Sequence, residues 1–277
     1  MVANPVVVGV DGSEPSLLAV DWAAREAKRR TAPLRIVSAP AMPPRMRPGR
    51  EQTVASEIEE SYEQAVATAV SRAKQAAPDL VIDTDLLSGP PAVAIAESAS
   101  GAQLVVVGDR GMGGFAAMLL GSVSRYVATN APCPAIVVRE QGFGGERQEI
   151  AVGVRHPRES AAALAFAFEE AALRGANLVA VHSWYSVLPG DHETIAAEAS
   201  QALGEALPDW RLKYPRVVVQ QDVPRGHAGQ VLVDYSARTD LVVIGRRGSG
   251  RGPGVGSIQH ALLNHARGPV AVVPSQT

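Results

Sequence analysis

The feature that most constrains this chain is that it repeats itself. Residues 6 to 11, VVVGVD, and 150 to 155, IAVGVR, are short apolar runs that each end in a glycine-containing turn. A shift of 144 then aligns Ser16 with Ser160, Glu26 with Glu170, Arg30 with Arg174, Leu34 with Leu178 and Val37 with Val181 without a gap. At a shift of 137, Gly89 meets Gly226 and LVVVGDRG (104 to 111) meets LVVIGRRG (241 to 248). At 135, Gly121-Ser122 meets Gly256-Ser257, and PAIVV (134 to 138) meets PVAVV (269 to 273). The chain is therefore two copies of one unit of about 140 residues, differing by deletions in two loops. The glycine-rich stretch Gln141 to Glu146 reads as the joint, giving domains at 1–140 and 149–277.

Each copy alternates apolar runs with helical patterns. Copy one reads strand 6–10, helix 16–30, strand 34–39, helix 52–76, strand 80–86, helix 91–100, strand 103–108, helix 122–131 and strand 135–139. Runs such as LVVVG carry no polar face of period two, as expected of strands covered on both sides. Strands joined by helical crossovers make a parallel, doubly wound α/β sheet. The expectation is two tandem Rossmann-like domains, each of five strands in the order 3-2-1-4-5. Ligands of such sheets bind at the carboxyl ends of the strands, at the switch point.

Composition narrows the function classes. A net charge of -2 with 4% aromatics offers neither the basic footprint nor the stacking platform of a nucleic-acid binder. No apolar run approaches 18 residues and the N-terminus has no basic region, so neither a membrane span nor a signal peptide is expected. The single Cys133, between two prolines, excludes an internal disulfide and reads as a packing residue of a cytoplasmic protein.

The glycines after the fourth strand carry the chemistry. Gly111, Gly113 and Ala116 satisfy the dinucleotide pattern G-x-G-x-x-A, with Glu140 further on. That fingerprint belongs to the first strand-helix turn of a nucleotide half, whereas only one strand remains here. In copy two, Pro253 falls where the fingerprint helix would begin. A P-loop needs Lys before Ser, and Gly121 and Gly256 stand there. What both copies share is Gly-x2-Gly, a variable loop, then Gly-Ser opening a helix: Gly108, Gly111, Gly121, Ser122 in one and Gly245, Gly248, Gly256, Ser257 in the other. Bare glycine backbones and a helix N-terminus suit a phosphate, although a glycine turn followed by a serine cap would look the same.

G-x2-G-x9-G-[ST] after a parallel strand, with VVVGVDGS at the start, resembles the nucleotide-binding universal stress protein family in its tandem form, over residues 5 to 139 and 149 to 273. The resemblance implies an ATP-type ligand, with or without Mg2+. It places adenine near Asp11 and the second-strand end, Val37 to Ala39, and ribose and phosphates along the glycine loop. The implied contacts are Gly9, Asp11, Val37, Ala39, Gly108, Arg110, Gly111, Gly121, Ser122, Val123 and Ser124 in copy one. In copy two they are Gly153, Gly245, Arg247, Gly248, Gly256 and Ser257. It also implies pairing of the two copies through their last strands, and a homodimer of tandem chains.

Read from the residues alone, Asp11 suits either a ligand contact or an Asx-turn ahead of the first helix. Copy two has Arg155 there and Gln259 in place of Ser124, with a loop two residues shorter. Arginine accepts no hydrogen bond, so site two is expected to bind more weakly or with altered base contacts. Arg110, Arg246 and Arg247 face phosphates or solvent. His182 reads as a packing histidine, and Trp22, Trp184, Phe166 and Phe168 as core. Phosphoryl transfer needs paired metal ligands and a group to orient the nucleophile, and no paired carboxylates adjoin the cradle. The expectation is an ATP-binding regulatory protein without catalysis; the alternatives are a slow ATPase or phosphotransferase and a purely structural tandem scaffold.

Overall fold

The apolar runs at 6–10, 104–108, 135–138 and 270–273 become strands buried along their whole length, whereas the strands at 82–86 and 219–222 are polar and partly exposed. The computed structural model describes residues 3–40, 51–111, 120–139, 147–186, 192–246 and 256–275. They divide into two compact units, Met1–Arg139 and Glu140–Thr277.

Unit 1 holds strands β1 (Val6–Val10), β2 (Leu34–Ser38), β3 (Ile82–Leu86), β4 (Leu104–Gly108) and β5 (Ala135–Val138). Their order is β3-β2-β1-β4-β5, and the pairs are parallel. The register sets Val8 against both Ile36 and Val106, so the switch point lies between β1 and β4. Val6, Val7 and Val8 are wholly buried, each worth roughly 1.5–3 kcal/mol relative to exposure. The crossovers are α1 (Glu14–Arg29), α2 (Glu51–Ala76), α3 (Pro91–Ser98) and α4 (Ser122–Asn130). Helix α2 lays the buried stripe Ala65, Ala69 and Ala73 inward, and Arg72 binds Asp21 of α1 through Nε at 3.0 and 2.9 Å.

Unit 2 repeats the plan with β6 (Glu149–Gly153), β7 (Asn177–Val181), β8 (Val219–Asp222), β9 (Leu241–Gly245) and β10 (Val270–Val273), all in parallel pairs with β6 and β9 adjacent. Its helices are α5 (Ala161–Arg174), α6 (His192–Ala206), α7 (Pro208–Lys213), α8 (Ala228–Ser236) and α9 (Ser257–His265). Where unit 1 has one long helix, Pro208 breaks this one, since proline lacks the N–H and clashes with the preceding turn. The short α7 then stacks Trp210 and Tyr214 on Phe168, at ring separations of 6.0 and 5.7 Å.

The aligned Glu26–Arg30 and Glu170–Arg174 are equivalent ion pairs on wholly buried glutamates, each 2.8 Å long. They close α1 and α5 where the chain turns toward β2 and β7. Trp22, Phe166, Phe168 and Cys133 are buried as expected. Trp184 is not a core residue: it is half-buried beyond β7, bridging to Arg225. Helix α1 starts two residues before the expected Ser16 because Ser13 caps it, with Pro15 in the first turn. Among the described residues no helix is long and apolar enough to cross a membrane.

Candidate functional site

In unit 1 the residues singled out from the sequence converge where β2, β1 and β4 end. β1 runs out into Asp11-Gly12-Ser13, with Gly12 at φ +87°, a backbone that favours glycine. Asp11 Oδ1 accepts from the Ser13 amide at 3.0 Å and the Ser13 hydroxyl at 2.6 Å. This is the Asx-turn alternative, realised. Ser13 in turn caps α1, accepting from the Ser16 amide at 3.4 Å. The other carboxylate oxygen abuts Gly111, where a Cβ would collide with it. The first and fourth strand-ends therefore meet through Asp11 and Gly111.

The glycines have more specific reasons than backbone freedom. A Cβ on Gly108 would lie 2.5 Å from the Pro15 carbonyl oxygen, so the end of β4 presses against the start of α1. A Cβ on Gly9 would meet Ile95 at 3.1 Å, and one on Gly153 would meet Leu232 at 2.9 Å. Those two glycines admit α3 and α8 to the sheet. Gly121 sits in ordinary β-region backbone as the N-cap of α4, its amide donating to the Asp109 carbonyl at 2.8 Å. Its missing Cβ faces Asp109, Arg110 and Ser124 at 3.4–3.5 Å rather than open space. Gly9, Gly108, Gly111 and Gly153 thus each admit a neighbouring part of the protein where a Cβ would stand, while a Cβ at Gly121 would meet its neighbours at ordinary contact distance.

No side chain caps α4, whose exposed Ser122 opens the first turn. First-turn amides have no partner within a helix, and the macrodipole adds partial positive charge there. Ser124 is buried, and its hydroxyl donates to the Gly108 carbonyl at 2.6 Å. Val123 is half-buried beside it, while Val37 and Ala39 are buried at the end of β2. The Ser38 hydroxyl donates to the Val10 carbonyl at 2.8 Å. Both strand-ends at the switch point are thus closed by a serine.

Sequence reasoning missed the charges behind the loop. Asp109, 6% exposed, has Arg110 Nε at 3.7 Å and Arg139 Nη1 at 3.9 Å from its Oδ2. Burial pushes the pKa of the Arg139 guanidinium down, with Asp109 opposing that and Arg110 adding to it. The repeat held the signal, because copy two changes both members together, to Arg246 and Pro274.

In unit 2, Arg155 replaces Asp11; its amide donates to the Ser160 hydroxyl at 3.0 Å and its exposed side chain lies 3.4 Å from Glu159. α5 begins at Ala161, three positions later than α1 by the repeat alignment. Among the described residues, a Cβ on the exposed Gly245 would find its nearest atom, the Glu159 carbonyl oxygen, at 3.8 Å. Gly256 is the N-cap of α9 without a side-chain cap, followed by exposed Ser257. Arg247 and Gly248 lie outside the described residues.

A family model described as the universal stress protein family matches residues 3–139 and again 146–274. The chain belongs to the universal stress protein family. A universal stress protein of Mycobacterium tuberculosis is 36% identical over 285 residues, covering 96% of each chain. Another, from Mycolicibacterium smegmatis, is 32% identical over 294 residues, covering 97% of this chain and 96% of its own. A solved universal stress protein from Archaeoglobus fulgidus covers 99% of each chain with a TM-score of 0.75 at 17% identity, a likeness of fold. A universal stress protein solved in complex with cAMP is 32% identical, covering 50% of this chain and 98% of its own, with a TM-score of 0.39.

Proposed function

We propose that unit 1 binds an ATP-type adenine nucleotide at the corner formed by β1, β4 and α4, and that the chain acts as a nucleotide-dependent regulatory protein of the stress response. The observation that carries this reading is the contrast between two helix starts at one corner. α1 is capped by its own Ser13, whereas α4 opens on Gly121-Ser122 with no side-chain cap. An uncapped helix start behind a glycine turn is suited to an anion. Ser122, Arg110 and the first-turn amides of α4 would hold phosphates, and Asp11 would face the base or ribose. Asp109 is engaged with Arg110 and Arg139, so Mg2+ would travel on the phosphates. Unit 2 keeps the Gly-Ser helix start and loses Asp11, so its base contacts differ.

The test is to purify the protein without added nucleotide, denature it and identify the small molecule released per chain. An adenine nucleotide at about one per chain or more, reduced by about one per chain in Ser122→Asp, is the expected result. That variant places a favourable acid at the helix start while repelling phosphate. Nothing released, and no binding in an ATP titration, would reject the reading. The family resemblance extends it to a homodimer of tandem chains. Twice 28.9 kDa by sedimentation equilibrium is expected, and the single-chain mass would reject the dimer.

A further inference from the structure

The repeat allows each group at the carboxyl edge of unit 1 to be compared with its counterpart in unit 2, and the exchanges run in one direction. Asp11 becomes Arg155 and Asp109 becomes Arg246, so both carboxylates are replaced by guanidinium groups. Ser38, whose hydroxyl is spent on the Val10 carbonyl at 2.8 Å, becomes His182. Ser124, spent on the Gly108 carbonyl at 2.6 Å, becomes Gln259.

Both larger replacements carry a buried nitrogen without a hydrogen-bond partner: His182 Nδ1 and Gln259 Nε2. Gln259 is only 5% exposed and stands in the first turn of the nine-residue, uncapped α9. Its repeat counterpart Ser124 is the residue that meets the end of β4 in unit 1. A buried amide N–H left unpaired is unfavourable, and an acceptor brought to it by a ligand would recover that loss. The dehydration of that donor is already complete in the folded chain. Among the described residues, the atom nearest to a Gly245 Cβ is 3.8 Å away, against 2.5 Å at Gly108.

We infer that the unit 2 site takes a polyphosphate chain, recognised by its phosphates and not by an adenine base, with Gln259 and the α9 start as its donors. The inference rests on the reading of the Gly-Ser helix starts as phosphate sites. Two sources share this chemistry, a free inorganic polyphosphate and the tail of a nucleoside triphosphate.

The experiment uses the full chain carrying Ser122→Asp, which silences site one, titrated calorimetrically with tripolyphosphate, ATP and GTP. The expected result is one site per chain with the three Kd values within about threefold, and at least tenfold weakening of all three on adding Gln259→Ser. ATP and GTP alike but tripolyphosphate tenfold weaker would assign the tail of a nucleotide as the source. Tripolyphosphate tightest would assign the free anion. ATP tenfold tighter than both others would overturn the inference by restoring adenine recognition. So would no binding at all, or affinity unmoved by Gln259→Ser. Ser257→Asp in an otherwise unchanged chain reads site one alone. Loss of ATP binding there sinks the nucleotide reading of unit 1 and leaves the unit 2 titration separately interpretable.

Discussion

Gly108→Ala and Gly245→Ala are the same substitution at repeat-equivalent positions, and the structure gives them opposite outcomes. In unit 1 the new methyl would lie 2.5 Å from the Pro15 oxygen, 2.6 Å from its carbon and 3.0 Å from the Ser16 nitrogen. Ordinary contact begins at 3.4 Å, so relief requires the start of α1 to retreat by about 0.9 Å. The obstacle is backbone, which cannot rotate aside. Overpacking of this kind costs about 1–3 kcal/mol, against about 0.4–1 kcal/mol returned by the stiffer unfolded chain. In unit 2 the methyl has 3.8 Å of clearance from the described residues, and with that clearance the favourable contribution decides the sign. The middle of each range leaves a net loss of about 1.3 kcal/mol, and at about 3–4 °C per kcal/mol for a unit of this size, Gly108→Ala should lower the unit 1 transition by about 4–5 °C. Gly245→Ala should raise the unit 2 transition by about 1–4 °C. Differential scanning calorimetry reads the transitions, and hydrogen exchange should place the Gly108→Ala change at Ser13 to Leu17. Equal effects in the two units, or an unshifted Gly108→Ala protein, would refute the claim that β4 is pinned against α1.

Asp11→Ala removes the acceptor of both Ser13 bonds and should cost about 1 kcal/mol through the weakened α1 cap, together with nucleotide affinity; loss of stability with affinity unchanged would leave Asp11 a turn residue only. Arg174→Met removes the guanidinium paired with the buried Glu170 carboxylate and should destabilise unit 2 by about 3–5 kcal/mol by denaturant unfolding. Arg174→Met with Glu170→Leu should recover most of that loss, and failure to recover would point to packing. His182 is held below its ordinary 6.5 by burial, so the unfolded chain binds its proton more readily. The stability this gives is present above pH 6.5 and lost as the pH falls toward the folded value. His182→Ser should flatten the melting temperature against pH between 7.5 and 5; an unchanged slope would exonerate this histidine.

The sequence made the architecture legible because its signals are local or periodic. Uninterrupted apolar runs such as LVVVG mark strands buried on both faces, and the repeat register supplies the second unit from the first. Element ends moved only by the range that caps explain, as at Ser13. The site was legible in location more than in detail. The Gly-Ser pairs do open uncapped helices, but the reason for Gly108 lies ninety residues away at Pro15, and that for Gly111 lies in the Asp11 side chain. Such contacts are made by the folded chain and leave no periodic trace. Asp109 with Arg139 is different: its members change together between the copies, so comparison of the repeats could have found it. The break at Pro208 was likewise available as a proline in a helical pattern.

The Glu26–Arg30 and Glu170–Arg174 pairs close the first helix of each unit at the amino edge of its sheet, where both copies keep the same ion pair. The opposite edge is where they part. Each unit is thus a common chassis with an exchangeable socket, and recognition can be rewritten at a few carboxyl-edge positions without disturbing the stitches that make the unit fold. A duplicated chain of this build can vary one edge of a unit while the ion pair at the other edge keeps closing its first helix.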